Sequence, residues 1–293
     1  MTNSLSKLIA GTMKWGQWGA RFSTEQYLTM IKRCLDLGVS TFDHADIYGH
    51  YTTEEEFGVA LKQEPSLRHK MQLISKCGIR MVTPNRPAHK IKSYDTSRKH
   101  IIESAHRSLE NLHTDFLDIL LIHRPDPLMD PDEIAEAFTQ LQTQGKVKAF
   151  GISNFNAQQS ALIESRFPVG YNQLEISIVE VEPFLDGTLH HCMLSKIVPM
   201  AWSPLGGGNI FIDQEEERNK RIVAVASILA EKYNAMPDQV LLSWLLCHPA
   251  GIVPVLGTSK AERIDVAMKA TSIKLEREEW FLLWRASTGT EVA

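Results

Sequence analysis

Short β-branched runs alternate with amphipathic helical stretches along almost all of this 293-residue sequence, and no other feature constrains the fold as much. Two parallel strands cannot be joined by a tight turn. They need a crossover, usually a helix, so a strand–helix rhythm implies a parallel sheet. Strands are predicted over residues 7–11, 39–42, 71–75, 116–122, 147–152, 171–174, 197–202 and 252–255. Helices are predicted between them. Ser23 and Gln26 have capping-box spacing ahead of the apolar face Tyr27, Ile31, Cys34 and Leu35, and this helix should stop near Gly38. Asp130-Pro131 opens another helix and Gly145 closes it. Further helices are expected over 53–62, through Ile101, Ala105, Leu109 and Leu112, and over 157–165, 185–194, 221–233 and 260–270. Eight such units in a chain of this length favour an α/β fold of the closed (β/α)8 TIM barrel type, as one domain over 1–293. A segment over 276–285 reads as an extra C-terminal helix outside the barrel. The longest irregular stretches, 78–95 and 205–220, would lie on the carboxyl-terminal face, where loops of that size usually cover a site or move.

Composition narrows the function. Hydrophobic residues make up 43% of the chain, enough to bury a large core. A net charge of -4 leaves no basic excess for a phosphate backbone or an anionic membrane, so neither nucleic acid nor a membrane is expected as a partner. Cys34, Cys77, Cys192 and Cys247 are far apart, with no C-x-x-C pair, which suits a reducing cytoplasm. No stretch near the start has the length of a signal-peptide core, and none approaches about 18 apolar residues, so a cytoplasmic protein is expected.

In a barrel of this kind the chemistry sits where strands end. The polar residues that follow each apolar run are Asp43 with Tyr48 just beyond it, then Lys76, His123, Ser153-Asn154, Gln173 and Trp202-Ser203. A tyrosine alone is a poor acid at neutral pH, with a pKa of about 10. An ammonium beside it would pull that value down, and an aspartate would hold the ammonium in place. Asp43, Tyr48 and Lys76 supply such a relay, and His123 would orient a substrate oxygen. The group would protonate a carbonyl oxygen as hydride arrives at carbon. Each residue alone also has a bland reading: Tyr48 as the cap of an apolar edge, Lys76 and Asp43 as a rim ion pair, His123 as a loop histidine. Four titratable groups on three consecutive strand ends favour the functional reading. Trp15, Trp18 and Tyr51 would offer an aromatic wall for substrate, or else core packing.

These residues resemble the aldo-keto reductases, carbonyl reductases built on the (β/α)8 barrel, and the resemblance covers nearly the whole chain. Phe42-Asp43-His44-Ala45-Asp46-Ile47-Tyr48-Gly49 looks like the aspartate-to-tyrosine signature of that family, its bacterial NADP-dependent branch in particular. Gly151-Ile152-Ser153-Asn154-Phe155, Asn172-Gln173-Leu174-Glu175, and Val255-Leu256-Gly257-Thr258-Ser259-Lys260 with Arg263 match further motifs. The resemblance implies Tyr48 as general acid, Lys76 and Asp43 as its tuning pair, His123 as the orienting donor, and NADPH (NADP+) as cofactor. It also implies a cofactor bed. Ser153, Asn154 and Gln173 would hold the nicotinamide carboxamide, Trp202 would stack on the ring, and Ser203, Leu205 and Gly206 would wrap the pyrophosphate. Thr12, Met13, Asp43, Gly257, Thr258 and Lys260 would complete it, with Ser259 and Arg263 gripping a 2′-phosphate, where a guanidinium suits a dianion. His44 stands where many relatives have serine or threonine, and Ala267 where a polar residue often meets adenine.

The expected activity is therefore NADPH-dependent reduction of an aldehyde or ketone, with a small-molecule carbonyl substrate and a monomer or weak oligomer. Two other readings use the same residues: an NADPH-sensing subunit with little turnover, and an aldolase with Lys76 as Schiff-base nucleophile. His190-His191-Cys192 diverge around a helix, and no metal site is expected.

Overall fold

The computed structural model describes residues 5–213 and 215–293. Eight parallel strands close into a barrel: β1 (Ile9–Gly11), β2 (Thr41–Asp43), β3 (Gln72–Cys77), β6 (Leu117–Ile122), β7 (Val147–Ser153), β8 (Tyr171–Glu175), β9 (Val198–Trp202) and β10 (Val253–Leu256), with β1 paired to both β2 and β10. This is the expected (β/α)8 architecture. Two short strands outside it, β4 (Ile79–Arg80) and β5 (Ser93–Tyr94), form an antiparallel hairpin within the stretch read as loop 78–95.

The pleat decides what the barrel holds. Successive side chains point to opposite faces, so a residue two places beyond an inward one is also inward. Ile9, Ile74, Ile119, Leu121, Met200 and Val255 form one buried cluster inside the barrel. Two steps on from Ile74, Leu121 and Met200 stand Lys76, His123 and Trp202. The same inward file that fills the lower barrel with aliphatic groups thus becomes polar or aromatic at the top. Gly151 sits in this interior because a Cβ there would lie 2.5 Å from the Tyr171 carbonyl oxygen and 2.7 Å from Leu121 Cδ2.

The helices bury the outward file. α1 (Thr24–Asp36) opens with the predicted Ser23–Gln26 capping box, and α5 (Pro131–Thr143) with an Asp130 cap and a proline in its first turn. α3 (Thr53–Gln63), α4 (Arg98–Asn111) and α6 (Ala157–Glu164) continue the ring, with α3 preceded by a single turn, α2 (Tyr48–Tyr51). The helix expected over 185–194 is two pieces, α7 (Glu182–Leu185) and α8 (Thr188–Ser195), because Gly187 at φ 90° interrupts it. The stretch read as loop 205–220 contains a 3-10 helix, Gly206–Phe211, and the first turn of α9 (Glu217–Lys232); its residue 214 lies outside the described residues, as do residues 1–4. α10 (Pro237–Leu246) fills a region that the pattern left unassigned, before α11 (Ala261–Met268). α12 (Arg277–Thr288) is the expected C-terminal helix, and it packs beside α9 through Leu283 and Ala286. Trp244 of α10 and Trp280 of α12 stack at 4.8 Å, and each indole N–H donates to the other residue's carbonyl, at 3.1 and 3.0 Å.

Gly58 lies mid-helix in α3, where a Cβ would overlap the Asn111 carbonyl oxygen of the neighbouring chain segment. Helix propensity alone would credit Gly58→Ala with about 1 kcal/mol of stability. The backbone overlap reverses the sign, and a loss of about 1–3 kcal/mol is expected, read as a lowered thermal midpoint. A raised midpoint would contradict the close α3–α4 packing.

Candidate active site

Asp43 closes β2, and Lys76 is the fifth residue of β3, next to it in the sheet. The ladder runs past the named strands: His44 N–H donates to Ile74 O at 2.9 Å, Asp46 N–H to Lys76 O at 3.0 Å, and His123 N–H to Cys77 O at 2.8 Å. These bonds fix the strand ends from which the polar groups project. Lys76 is fully buried, and its ammonium has three partners: the Asp43 carboxylate at 2.8 Å, the His44 carbonyl at 2.8 Å and the Tyr48 hydroxyl at 3.1 Å. An ammonium has three protons to give, so its demand is met. Burial by itself would lower the Lys76 pKa, but the Asp43 carboxylate and the Tyr48 oxygen outweigh it and hold the value above 10.5. The cation persists in a dry place.

Tyr48 differs from the expectation in one respect. Burial raises its pKa above 10.0, and Lys76, which pulls the other way, does not overcome it. The hydroxyl is therefore a neutral phenol with a proton to donate, and Lys76 moderates the cost of losing that proton without making it spontaneous. His123 lies edge-on to the Tyr48 ring at 6.2 Å. Burial first, then the charges of Lys76 and Arg124, hold it well below its ordinary pKa, so the imidazole is neutral. Its Nδ1 is buried and, among the described residues, without a hydrogen-bond partner.

Tyr48 is followed by a backbone turn that sequence reasoning missed. Gly49, His50 and Tyr51 all have positive φ, at 58°, 60° and 70°. Two non-glycine residues in that region are strained and must be held by their surroundings. The hairpin segment does the holding: the Tyr51 hydroxyl donates to Ile79 O at 3.2 Å and accepts from Met81 N–H at 3.0 Å, while Asn85 donates to His50 O at 2.8 Å. Gly49 was the one local signal of it.

The expected cofactor residues around the rest of the rim form a connected network. Gln173 Nε2 donates to Asp43 at 2.8 Å, Ser153 Oγ to Gln173 O at 2.9 Å, Asn154 Nδ2 to Ser153 Oγ at 2.8 Å and Trp202 Nε1 to Asn154 Oδ1 at 3.0 Å. Arg124 lies over the Trp202 ring at 5.5 Å. Ser203 and Gly206 have positive φ, at 49° and 57°, and form a turn closed by Gly206 N–H donating to Ser203 O at 2.8 Å, with Leu205 half-buried inside it. Gly257, Thr258, Ser259 and Lys260 lead into α11, and the Trp15 indole pins them by donating to Thr258 O at 3.0 Å. Lys260, at the α11 N-cap, supplies no side-chain cap, and Arg263 is exposed on the first turn. Met13 is exposed at the rim, whereas the Thr12 hydroxyl is buried and committed to Asp43 O and to His44 Nδ1, both at 3.0 Å. Trp15 is fully buried among Phe22, Tyr27, Phe42 and Phe57, so it belongs to the core and not to an aromatic wall. Trp18 does stand by the site, 6.1 Å from the Tyr48 ring. Ala267 is buried among core residues.

Comparison with known proteins agrees with the geometry. The family model described as "Aldo/keto reductase family" matches residues 7–285. An uncharacterized oxidoreductase YcsN of Bacillus subtilis is 46% identical over 98% of this chain and 96% of its own. Oxidoreductase YdhF of Escherichia coli is 46% identical over 98% and 95%, and a 6-dehydroglucose reductase of Agrobacterium fabrum 39% identical over 99% and 96%. A thermostable aldo-keto reductase, Tm1743, solved with an inhibitor, superposes with a TM-score of 0.80 at 27% identity, covering 97% of each chain.

The departure at His44 can be tested. Burial, then Lys76, pushes its pKa down from 6.5 to about 3. A depressed histidine contributes stability that is complete above pH 6.5 and lost as pH falls toward the folded value, because only the unfolded chain then takes the proton. Urea unfolding at pH 6.5, 5.5 and 4.5 should show the native chain losing about 1 kcal/mol per pH unit more than His44→Gln; equal slopes would contradict a buried neutral His44. With four acid–base groups gathered at the mouth of a (β/α)8 barrel and relatives matching end to end, the chain belongs to the aldo/keto reductase family and is an oxidoreductase.

Proposed function

We propose that this chain reduces an aldehyde or ketone to an alcohol with NADPH, and that Tyr48 is the proton donor. The observation that carries the reading is the Lys76 ammonium held between Asp43 at 2.8 Å and the Tyr48 hydroxyl at 3.1 Å. Oxidoreductase relatives that match over nearly their whole length support the reaction class.

The residues present fit a phosphorylated dinucleotide. The N–H groups of the first turn of α11 have no side-chain cap, and Lys260 and Arg263 stand beside them, which is a seat for a phosphate dianion. Ser153, Asn154, Gln173 and Trp202 are already fixed by mutual hydrogen bonds, so a planar ring and amide laid on them would meet preorganised partners. Ser203, Leu205 and Gly206 would line the pyrophosphate through their backbone, and Thr12, Met13, Gly257, Thr258 and Ser259 would border the remainder. When bound, NADPH supplies hydride to the carbonyl carbon.

The protein supplies the proton and the position. A carbonyl oxygen placed between Tyr48 and His123 would accept hydrogen bonds from the phenol and from the neutral imidazole. As negative charge develops on that oxygen, Tyr48 passes its proton to it, and the phenolate left behind is stabilised by the Lys76 ammonium. Asp43 keeps that ammonium charged and aimed. The barrel mouth keeps bulk water from competing for these bonds, since Lys76, Asp43 and Tyr48 are all buried.

Tyr48→Phe should lower kcat for NADPH oxidation by about 10²–10⁴-fold while leaving NADPH affinity within about twofold of the native value. Stopped-flow and fluorescence titration with a panel of aromatic aldehydes, quinone-type carbonyls and 6-dehydroglucose, the compound in one relative's name, measure both. Unchanged turnover would reject Tyr48 as the acid. Arg263→Ala should weaken NADPH about tenfold and NADH little, as removing a charge-assisted phosphate contact requires; equal losses would reject a 2′-phosphate seat.

A further inference from the structure

Behind the catalytic turn, between the hairpin segment and the start of α4, lies a cavity of about 320 Å³ that the proposed reaction does not use. None of its lining residues comes from β7–β10 or α11, so it is separate from the cofactor bed. It is unusually rich in charge. Arg80 and Arg86 enter from the hairpin segment and Lys99 and Arg107 from α4. The carboxylates among them are Asp95 and, on α4 itself, Glu103, and they engage these cations only loosely: Arg80 to Asp95, Lys99 to Glu103 and Arg107 to Glu103 are each at 3.9 Å, too long for a hydrogen bond. Among the described residues Arg86 makes no ion pair; its Nη1 donates to Asn85 O at 3.0 Å and its guanidinium lies over the Tyr51 ring at 4.5 Å.

The third acid is Asp46. Its Oδ1 is buried and, among the described residues, has no hydrogen-bond partner and no ion pair. Burial, then Glu54, pushes its pKa well above 3.8, against the pull of Arg107 and Arg86. His100 is neutral, since burial lowers its pKa despite Asp95. The wall carries four cations, Arg80, Arg86, Lys99 and Arg107, against three acids, of which Asp46 is shifted toward its neutral form, in a protein whose net charge is -4. A guanidinium has five N–H donors, and Arg107 spends one on Ser104 Oγ at 3.0 Å while its carboxylate neighbour Glu103 comes no nearer than 3.9 Å. Guanidinium groups with donors to spare in a concave site favour an anion with several oxygens.

We infer that this cavity binds a small dianion, a phosphate ester or a dicarboxylate, between Arg80, Arg86 and Arg107. The shared chemistry is a pair of negative charges on a compact oxygen framework, and the volume admits a few carbon atoms besides. The site borders Tyr51, whose hydroxyl clamps the catalytic turn to the hairpin, so its occupant touches the element that places Tyr48.

Isothermal titration of glycerol 3-phosphate, malonate and inorganic phosphate, each with NADP+ saturating so that the cofactor bed is filled, tests the inference. Binding of at least one of the three is expected, stronger for glycerol 3-phosphate if the ligand is an ester and for malonate if it is a dicarboxylate. Arg80→Gln and Arg107→Gln, made singly, should each weaken it at least tenfold, while Asp46→Asn, which takes an acid out of the wall, should retain or strengthen it. Absence of binding by all three, or affinity in both arginine variants equal to that of the native chain, would overturn the inference. Stabilisation by Mg2+ that Asp46→Asn abolishes would mark a cation site instead and would overturn it as well.

Discussion

A single buried ammonium organises the active end of this barrel. Lys76 is wholly out of solvent, and taking a charge that far from water costs several kcal/mol unless its donors are satisfied and a counter-charge is close. Both conditions are met by groups from separate segments: Asp43 from the end of β2, the His44 carbonyl just beyond it, and Tyr48 after the next turn. Each acceptor is needed by the cation and is fixed by it. The interaction therefore ties β2, β3 and the turn after β2 into one rigid unit, and chemistry that needs a phenol beside a positive charge gains the preorganisation that water cannot offer.

Around that centre the barrel supplies order at little cost and the loops supply strain. The pleat turns an aliphatic interior file into a polar rim without any special bend, which is why Lys76, His123 and Trp202 all face one mouth. The left-handed run Gly49–His50–Tyr51 is different. It is held by hydrogen bonds from the hairpin segment to Tyr51 and His50, so the position of Tyr48 depends on a segment far from it in sequence. The same hairpin walls the arginine-lined cavity, and the turn after Tyr48, the hairpin and that cavity are neighbours in one block.

Much of this was legible in the sequence, for physical reasons. β-Branched runs ending in a polar residue gave the strand ends, and capping pairs such as Ser23–Gln26 and Asp130–Pro131 gave helix starts. What periodicity cannot show is a helix buried on every side. α10 is apolar or buried from Gln239 to Leu245, so it has no amphipathic face to betray it. Two-residue strands are too short to alternate, which hid the β4–β5 hairpin. Neighbours across space were equally hidden: Trp15 looked like a substrate wall and is core, and the Tyr48 pKa was expected to fall because Lys76 was visible in the sequence and the depth of burial was not. In the sequence His44 is only an unusual residue at its place. Its bonds to Thr12 and its place behind the site come from the fold.

The most direct test is the protonation state of Lys76 itself. With selectively labelled lysine, the Nζ signal of Lys76 can be assigned through Lys76→Met and followed by nitrogen NMR from pH 7 to 11. The ammonium signal should persist to a pH above 10.5, the ordinary lysine value. A Lys76 signal already that of a neutral amine at pH 8 would mean that Asp43 and Tyr48 do not hold a cation between them, and the account of this site would fail.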